Sequence, residues 1–236
     1  MPTRSIKTPV CWSLPCLLLL LTLPSWGADK NKDEEILKKA GEVLQAMFHS
    51  GAAPTGLLIT ANCILILPHV KQFAVGVGKN GGRGPLLCRK GKNFSAKEWS
   101  APAMYSFGGA TAGLQFGGSS TDFVTLILSP SAANKFLAGK IKVGKSDIST
   151  TVGAETSTGW VADTDVMAFG HSKGLFAGTS LSGASLESDS SADQHLYNTA
   201  VSARDIVLED AVKPTPAGQS LILLLQRVGQ FHSHSL

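Results

Sequence analysis

Seven basic side chains stand close together in a stretch that contains no acid. No Asp or Glu occurs between Glu42 and Glu98, and that interval holds Lys71, Lys79, Arg83, Arg89, Lys90, Lys92 and Lys97. Ammonium and guanidinium groups gathered without counter-charges attract phosphate and carboxylate surfaces. Near an anionic membrane each contributes about 1 kcal/mol, and salt screens this within a Debye length. Three or four such bases acting together reach roughly 3–4 kcal/mol, which is only about millimolar affinity. Tighter binding needs backbone N–H groups around a phosphate, or an inserted apolar face. Gly81-Gly82-Arg83-Gly84 is expected to turn and expose N–H groups. The alternative is an ordinary solvated sheet surface.

Other patterns suggest chemistry but lack the surroundings it requires. Gly76-Val77-Gly78-Lys79-Asn80-Gly81 fits the dinucleotide fingerprint, yet Gly82-Arg83-Gly84-Pro85 and a strand follow where a helix must begin. Residues 139–146, GKIKVGKS, match the P-loop, but a helical segment precedes them and β-branched DISTTVG follows. His171 and His195 lie near serines and acids, as chance provides in a serine-rich chain. His232 and His234 give two ligands on a tail, too few for a metal site. The residues therefore point to binding without catalysis, and to no metal or cofactor.

The positioning elements begin behind an export signal. Arg4 and Lys7 precede an apolar run at residues 11–24, and Ser25-Trp26-Gly27 supplies small residues for cleavage. Cleavage is expected after Gly27, with Ala28 as the alternative, leaving residues 28–236 as one exported domain, periplasmic or secreted. The apolar run falls short of the roughly 20 residues of a membrane span. No later stretch is long enough either, so membrane contact is expected to be peripheral. Removing the signal leaves 19 bases against 17 acids, a net charge of +2, which argues against nucleic acid. Cys63 and Cys88 remain. Export permits a disulfide, which would contribute on the order of 3 kcal/mol. Two buried thiols are the other reading.

Residues 31–48 read as an amphipathic helix with Ile36, Leu37, Ala40, Val43, Leu44 and Met47 on its apolar stripe. That stripe is expected to pack on the core. Asn31 and Glu34 form a candidate capping box. Pro54 opens a second short helix. From residue 62 apolar runs alternate with Gly, Ser and Asn, which predicts strands separated by turns. They are CILIL, QFAVGVG, GPLLCRK, AMYSFGG, AGLQFGG and DFVTLIL, then residues 140–143, 148–152, 161–169 and 175–186. Short helices are expected at residues 131–137, 193–197 and 203–208, and a last helix at 215–228, with a loose tail after it. Interior glycines such as Gly76, Gly78, Gly113 and Gly117 suit a curling sheet. The fold class is α+β: a curved, partly barrel-like antiparallel sheet with N-terminal amphipathic helices and a C-terminal helix.

The order of these motifs resembles the SYLF domain family. An amphipathic helix at residues 33–48 is followed by a Pro-Leu-Leu type helix at 54–61, an apolar strand at 64–68 and a glycine-rich basic hairpin at 73–89. Then come Trp99-Ser100-Ala101-Pro102, Gly113-Leu114-Gln115-Phe116-Gly117 and Thr121-Asp122-Phe123-Val124. The longest matching run is Ser172-Lys173-Gly174-Leu175-Phe176-Ala177-Gly178-Thr179-Ser180-Leu181, and Tyr197 and residues 202–206 close the series. The resemblance covers residues 33–229. Three positions depart from it: residues 153–157 lack the family's arginine, Phe169 replaces a tyrosine, and Asn198 replaces a glycine. The resemblance implies binding of phosphoinositides or other anionic lipids, with no catalytic residues. The actin role of eukaryotic members is not expected to transfer to an exported domain. The resulting expectation is a lipid-binding domain using the seven bases. An envelope scaffold with a protein or glycan partner comes second, and a hydrolase last.

Overall fold

The computed structural model describes residues 26–142, 152–153, 165–174 and 185–231. Six helices and six strands are assigned in that part of the chain. Helix α1 (Trp26–His49) and helix α2 (Thr55–Thr60) lead into strands β1 (Cys63–Cys88) and β2 (Ala103–Ile127). Helix α3 (Pro130–Leu137) and strands β3 (Ile141–Lys142), β4 (Val152–Gly153), β5 (Val166–Gly174) and β6 (Ser185–Ser188) follow. Helices α4 (Ser190–Tyr197), α5 (Ala203–Leu208) and α6 (Pro216–Phe231) end the described chain. The fold is α+β with a curved sheet, as expected. Its pairings are antiparallel except for the short parallel β4–β5 contact.

The expected turns within the first three strands and within the next three do not form. CILIL, QFAVGVG and GPLLCRK run together as β1, and the next three runs join as β2. The two pair along nearly their whole lengths, from Cys63 with Ile127 to Leu86 with Ala103. The glycines bend the strands instead of ending them. A strand of 26 residues would span about 85 Å if straight. Yet the Cα atoms of Cys63 and Cys88 are 3.9 Å apart, joined by a disulfide. The ribbon therefore curls until the two halves of β1 meet. A Cβ built on Gly84 would stand 1.8 Å from the Ile66 carbonyl oxygen, so only glycine permits this approach. The Arg89 N–H donates to the Asn62 carbonyl at 2.7 Å just beyond the closure.

Curling gives the sheet two buried faces. Alternate residues Cys63, Leu65 and Leu67 face an interior shared with Tyr105, Phe107, Phe123, Phe136 of α3 and Ile206 of α5. Their neighbours Ile64 and Ile66 join Val124 and Leu126 beneath α1, α2 and α6, where Leu44, Leu58, Trp99 and Leu221 are buried. The apolar stripe of α1 thus packs on the core. The Tyr105 hydroxyl donates to the Phe136 carbonyl at 2.8 Å, which ties α3 into the mouth of the curl.

Some boundaries differ from expectation. Helix α1 begins at Trp26, so Asn31 lies inside it and caps nothing. Ser129 caps α3 by accepting from the Ala132 N–H. Ser202 and Asp205 form a capping box on α5. Most of the Leu175-Phe176 run and the P-loop-like residues 143–146 lie outside the described residues. No helix among the described residues is long and apolar enough to cross a membrane.

The disulfide closes a 25-residue separation at the point where the curl meets itself. Replacing Cys88 by Ser is expected to lower the unfolding free energy by about 3 kcal/mol. Urea unfolding of the oxidised protein and the variant measures this; equal midpoints would show that β1 closes without the bond.

Candidate functional site

Strand β1 carries an extra residue where its register against β2 shifts between Leu67 and Val70. This is a β-bulge, and it places His69 in the left-handed region at φ 52°. Histidine adopts that region at some cost. Asp122, in the Thr-Asp pair of β2, holds it there. Its buried Oδ1 accepts the His69 backbone N–H at 2.8 Å and lies 3.1 Å from the ring Nδ1. The bulge lifts Pro68, His69 and Lys71 to the rim of a groove of about 580 Å³. Gly81, Gly82 and Arg83 from the far half of β1 form another wall, and Ile36 and Lys39 of α1 a third. The curl brings these segments together, since a Cβ on Gly82 would meet Val70 Cγ2 at 2.8 Å.

Arg83 is held from behind by two carboxylates. Its Nε donates to Asp189 Oδ2 at 2.7 Å, and its Nη1 stands 3.0 Å from Asp33 Oδ1. The latter contact is an ion pair outside hydrogen-bond geometry, which leaves Asp33 Oδ1 without a hydrogen bond. Asp33 is 1% exposed, while the Arg83 side chain is 36% exposed. Burial alone would raise the Asp189 carboxyl. The Ser191 hydroxyl, the Ala192 N–H and the guanidinium outweigh it and hold the group below its ordinary value. The Arg83 Nη2 makes no hydrogen bond or ion pair among the described residues, and Arg83 is one of the residues that line the groove.

The seven expected bases are not all in this groove. Lys71 and Arg83 line it, and Lys71 makes no ion pair among the described residues. Lys79 pairs in register with Ala110 on the ribbon. Arg89, Lys90, Lys92 and Lys97 belong to the connection after β1. Arg89 is a structural pin: it donates to the carbonyls of Leu58, Ile59, Ala61 and Lys97 and stacks over Trp99 at 4.4 Å. It thereby satisfies the exposed carbonyl end of α2. Lys90 lies 2.9 Å from Asp210 and 4.0 Å from Glu98. Lys92 and Lys97 are exposed, and Lys97 lines a second groove with Arg89, Trp99 and α6. The glycine segment 81–84 is paired in register with residues 105–108 and does not turn, so it is no nest of free N–H groups. Sequence reasoning missed Lys39 and His69. Lys39 stands among Glu35, Lys38 and Glu42 in α1, so the local charge pattern does not single it out, and nothing local marks His69 as a bulge.

Among the described residues two His–Asp pairs are present, His69 with Asp122 and His195 with Asp33, the latter at 3.1 Å. No serine or cysteine hydrogen-bonds either histidine among the described residues. No group of three His, Cys, Asp or Glu is placed to hold a metal among those residues.

The curled sheet with helices on both faces and a groove at its bulge defines an α+β domain of the SYLF type. The chain belongs to the Ysc84 family: the family model, described as "Las17-binding protein actin regulator", matches residues 108–228. It is 33% identical over 214 residues to Protein YSC84 of Saccharomyces cerevisiae, covering 84% of this chain and 44% of that protein. It is 32% identical over 205 residues to LAS seventeen-binding protein 3 of the same yeast, covering 80% of this chain and 43% of that one. The human SH3 domain-containing YSC84-like protein 1 is 24% identical over 195 residues, covering 80% and 56%. The chain thus spans about half the length of the curated relatives it matches. No solved structure matches it. One of these relatives is named as a binding protein, and the family description names an actin regulator.

Arg83 neutralises a carboxylate that has no access to water. Replacing Arg83 by Met is expected to cost about 3 kcal/mol, because the buried Asp33 then keeps only its His195 contact and Asp189 loses its cation. Arg83→Lys recovers only part of this, since one ammonium nitrogen cannot stand at both the Nε and Nη1 positions from which Arg83 reaches Asp189 and Asp33. Urea unfolding at neutral pH checks both variants; an unchanged Arg83→Met midpoint would remove the pair from the account.

Proposed function

We propose that this chain is a non-catalytic domain that binds anionic lipid headgroups through the groove formed by Lys39, the His69 bulge, Lys71 and Arg83. The carrying observation is the pinned guanidinium. Asp33 and Asp189 fix Arg83 in place, and the groove it lines is also lined by Lys71, which makes no ion pair among the described residues. A donor held in position loses little freedom when it takes a phosphate oxygen. Lys39 adds charge from α1, since its exposed pair with Glu35 at 3.5 Å is weak. Lys92 and Lys97 extend the basic surface outside the groove. Arg89 and Lys90 are committed to structural partners and contribute less. Protein binding is the second reading, favoured by relatives named for binding Las17.

Co-sedimentation with phosphatidylcholine vesicles, with and without phosphatidylserine, tests the lipid reading. Binding is expected only to the acidic vesicles and is expected to weaken as salt rises. Lys71→Ala should weaken it about fivefold, whereas Lys213→Ala, on the α5–α6 connection, should leave it unchanged. Equal binding to neutral vesicles, or indifference to salt, would defeat the electrostatic account.

The exported setting belongs to this proposal. The basic start, apolar run and small-residue site of residues 1–27 support it. Cleavage after Gly27 would leave α1 nearly whole, from Ala28 onward. Mass measurement of the N-terminal peptide from the protein in its native cells reads the outcome; a chain still beginning at residue 1 would count against export.

A further inference from the structure

Helix α4 and its N-cap are hydrogen-bonded to β2 at Met104, next to the bond that the Tyr197 hydroxyl donates to the Pro102 carbonyl. The Met104 N–H donates to Asp193 Oδ1 at 2.7 Å, and the Asp189 N–H donates to the Met104 carbonyl at 2.7 Å. The second oxygen of Asp193 is buried without a partner, and the residue is 0% exposed. An ionised carboxylate in that position leaves half its charge unsolvated. Its surroundings make this worse. Asp33 faces it from α1 and Asp189 from the cap of its own helix, while Glu34 of α1 acts on the neighbouring Tyr197. Tyr105 of β2 and Tyr197 of α4 lie close by. Arg83 of β1 is the nearby cation, but it is already shared by Asp33 and Asp189. His195 of α4 is taken by Asp33.

We propose that Asp193 is a proton-operated latch: its neutral carboxyl group lets α4 dock on Met104, and loss of the proton loosens α4 and the Asp33–Arg83–Asp189 pairs together. The electrostatics agree with the geometry. Burial pushes the Asp193 carboxyl up to about 8; Asp189 and Asp33 add to the rise, against the Met104 N–H and Arg83. The folded value is raised above the unfolded 3.8, so the folded form binds the extra proton. The stabilisation is complete below the unfolded value and is lost as pH rises to the folded one. Across that window each pH unit costs the docked state about tenfold. Asp189 works in the opposite sense and loses its contribution as pH falls, so the latch must be read as a difference between variants. Its effect on ligand binding rests on the anion-groove reading above; the latch itself does not.

Hydrogen exchange of the full oxidised chain tests it, compared at about pH 6 and about pH 9.5 after correction for intrinsic rates. Amides of residues 190–197 are expected to lose at least tenfold in protection at the higher pH. Asp193→Asn keeps an acceptor for the Met104 N–H and cannot ionise, so its protection should not change. Carbon-13 titration of the native Asp193 carboxyl gives a second reading if the variant folds poorly. Equal native protection at both pH values, the same loss in Asp193→Asn, or an Asp193 carboxyl titrating in the ordinary range would each overturn the latch. Phosphatidylserine vesicle binding that weakens with pH in the native chain and stays level in Asp193→Asn extends the latch to the groove. Exchange that titrates without any vesicle binding sustains the latch and removes the lipid reading.

Discussion

Strand β1 must meet itself. Its two ends come within 3.9 Å at the disulfide, and Gly84 presses on the backbone at Ile66. Everything else is arranged around that contact. An open ribbon would present an unpaired edge to other chains. Curling it brings the two halves of that edge together and encloses an interior for Tyr105, Phe107 and Phe123. The same movement leaves a convex outer face, which α1, α2 and α6 cover. Arg89 then locks the outer layer to the closure, because its guanidinium joins the end of α2 to the connection after β1.

The groove is a by-product of the closure. It opens where the bulge at His69 faces the returning half of β1 at Gly82 and Arg83. A bulge is tolerable there because Asp122 satisfies its backbone and ring nitrogens together. Charge placement follows the same logic. The acids that balance Arg83 come from α1 and α4, far away in sequence, and one of them is out of reach of water. The acid-free stretch between Glu42 and Glu98 is therefore not an uncompensated surface once folded. Its described side chains divide into a pinned donor, a structural pin, a paired lysine and a few exposed charges.

Much of the fold was legible in one dimension. The stripe of Leu37, Ala40, Val43, Leu44 and Met47 announced a helix packed on a core. Glycines inside apolar runs announced a curled sheet, because an interior glycine weakens a strand unless the backbone must bend or approach another closely. What misled was punctuation. Glycine ends a strand in a hairpin and bends it in a barrel, and local composition does not distinguish the two. Six expected strands were accordingly two long ones. The site was legible only in part: Lys71 and Arg83 were found, Lys39 and His69 were not, and Arg89 had a different task.

The sequence by itself determined the α+β class, the family, the position of most helices and the supply of basic side chains. These depend on periodicity, capping and composition, which act over a few residues. Only the tertiary structure decided that Cys63 pairs with Cys88, that Asp33 and Asp189 pin Arg83, and that Asp193 is buried beside them. Those outcomes depend on which distant segments the curl brings within a few ångströms. Coulomb energy and desolvation vary steeply over that distance, and spacing along the chain carries no record of it.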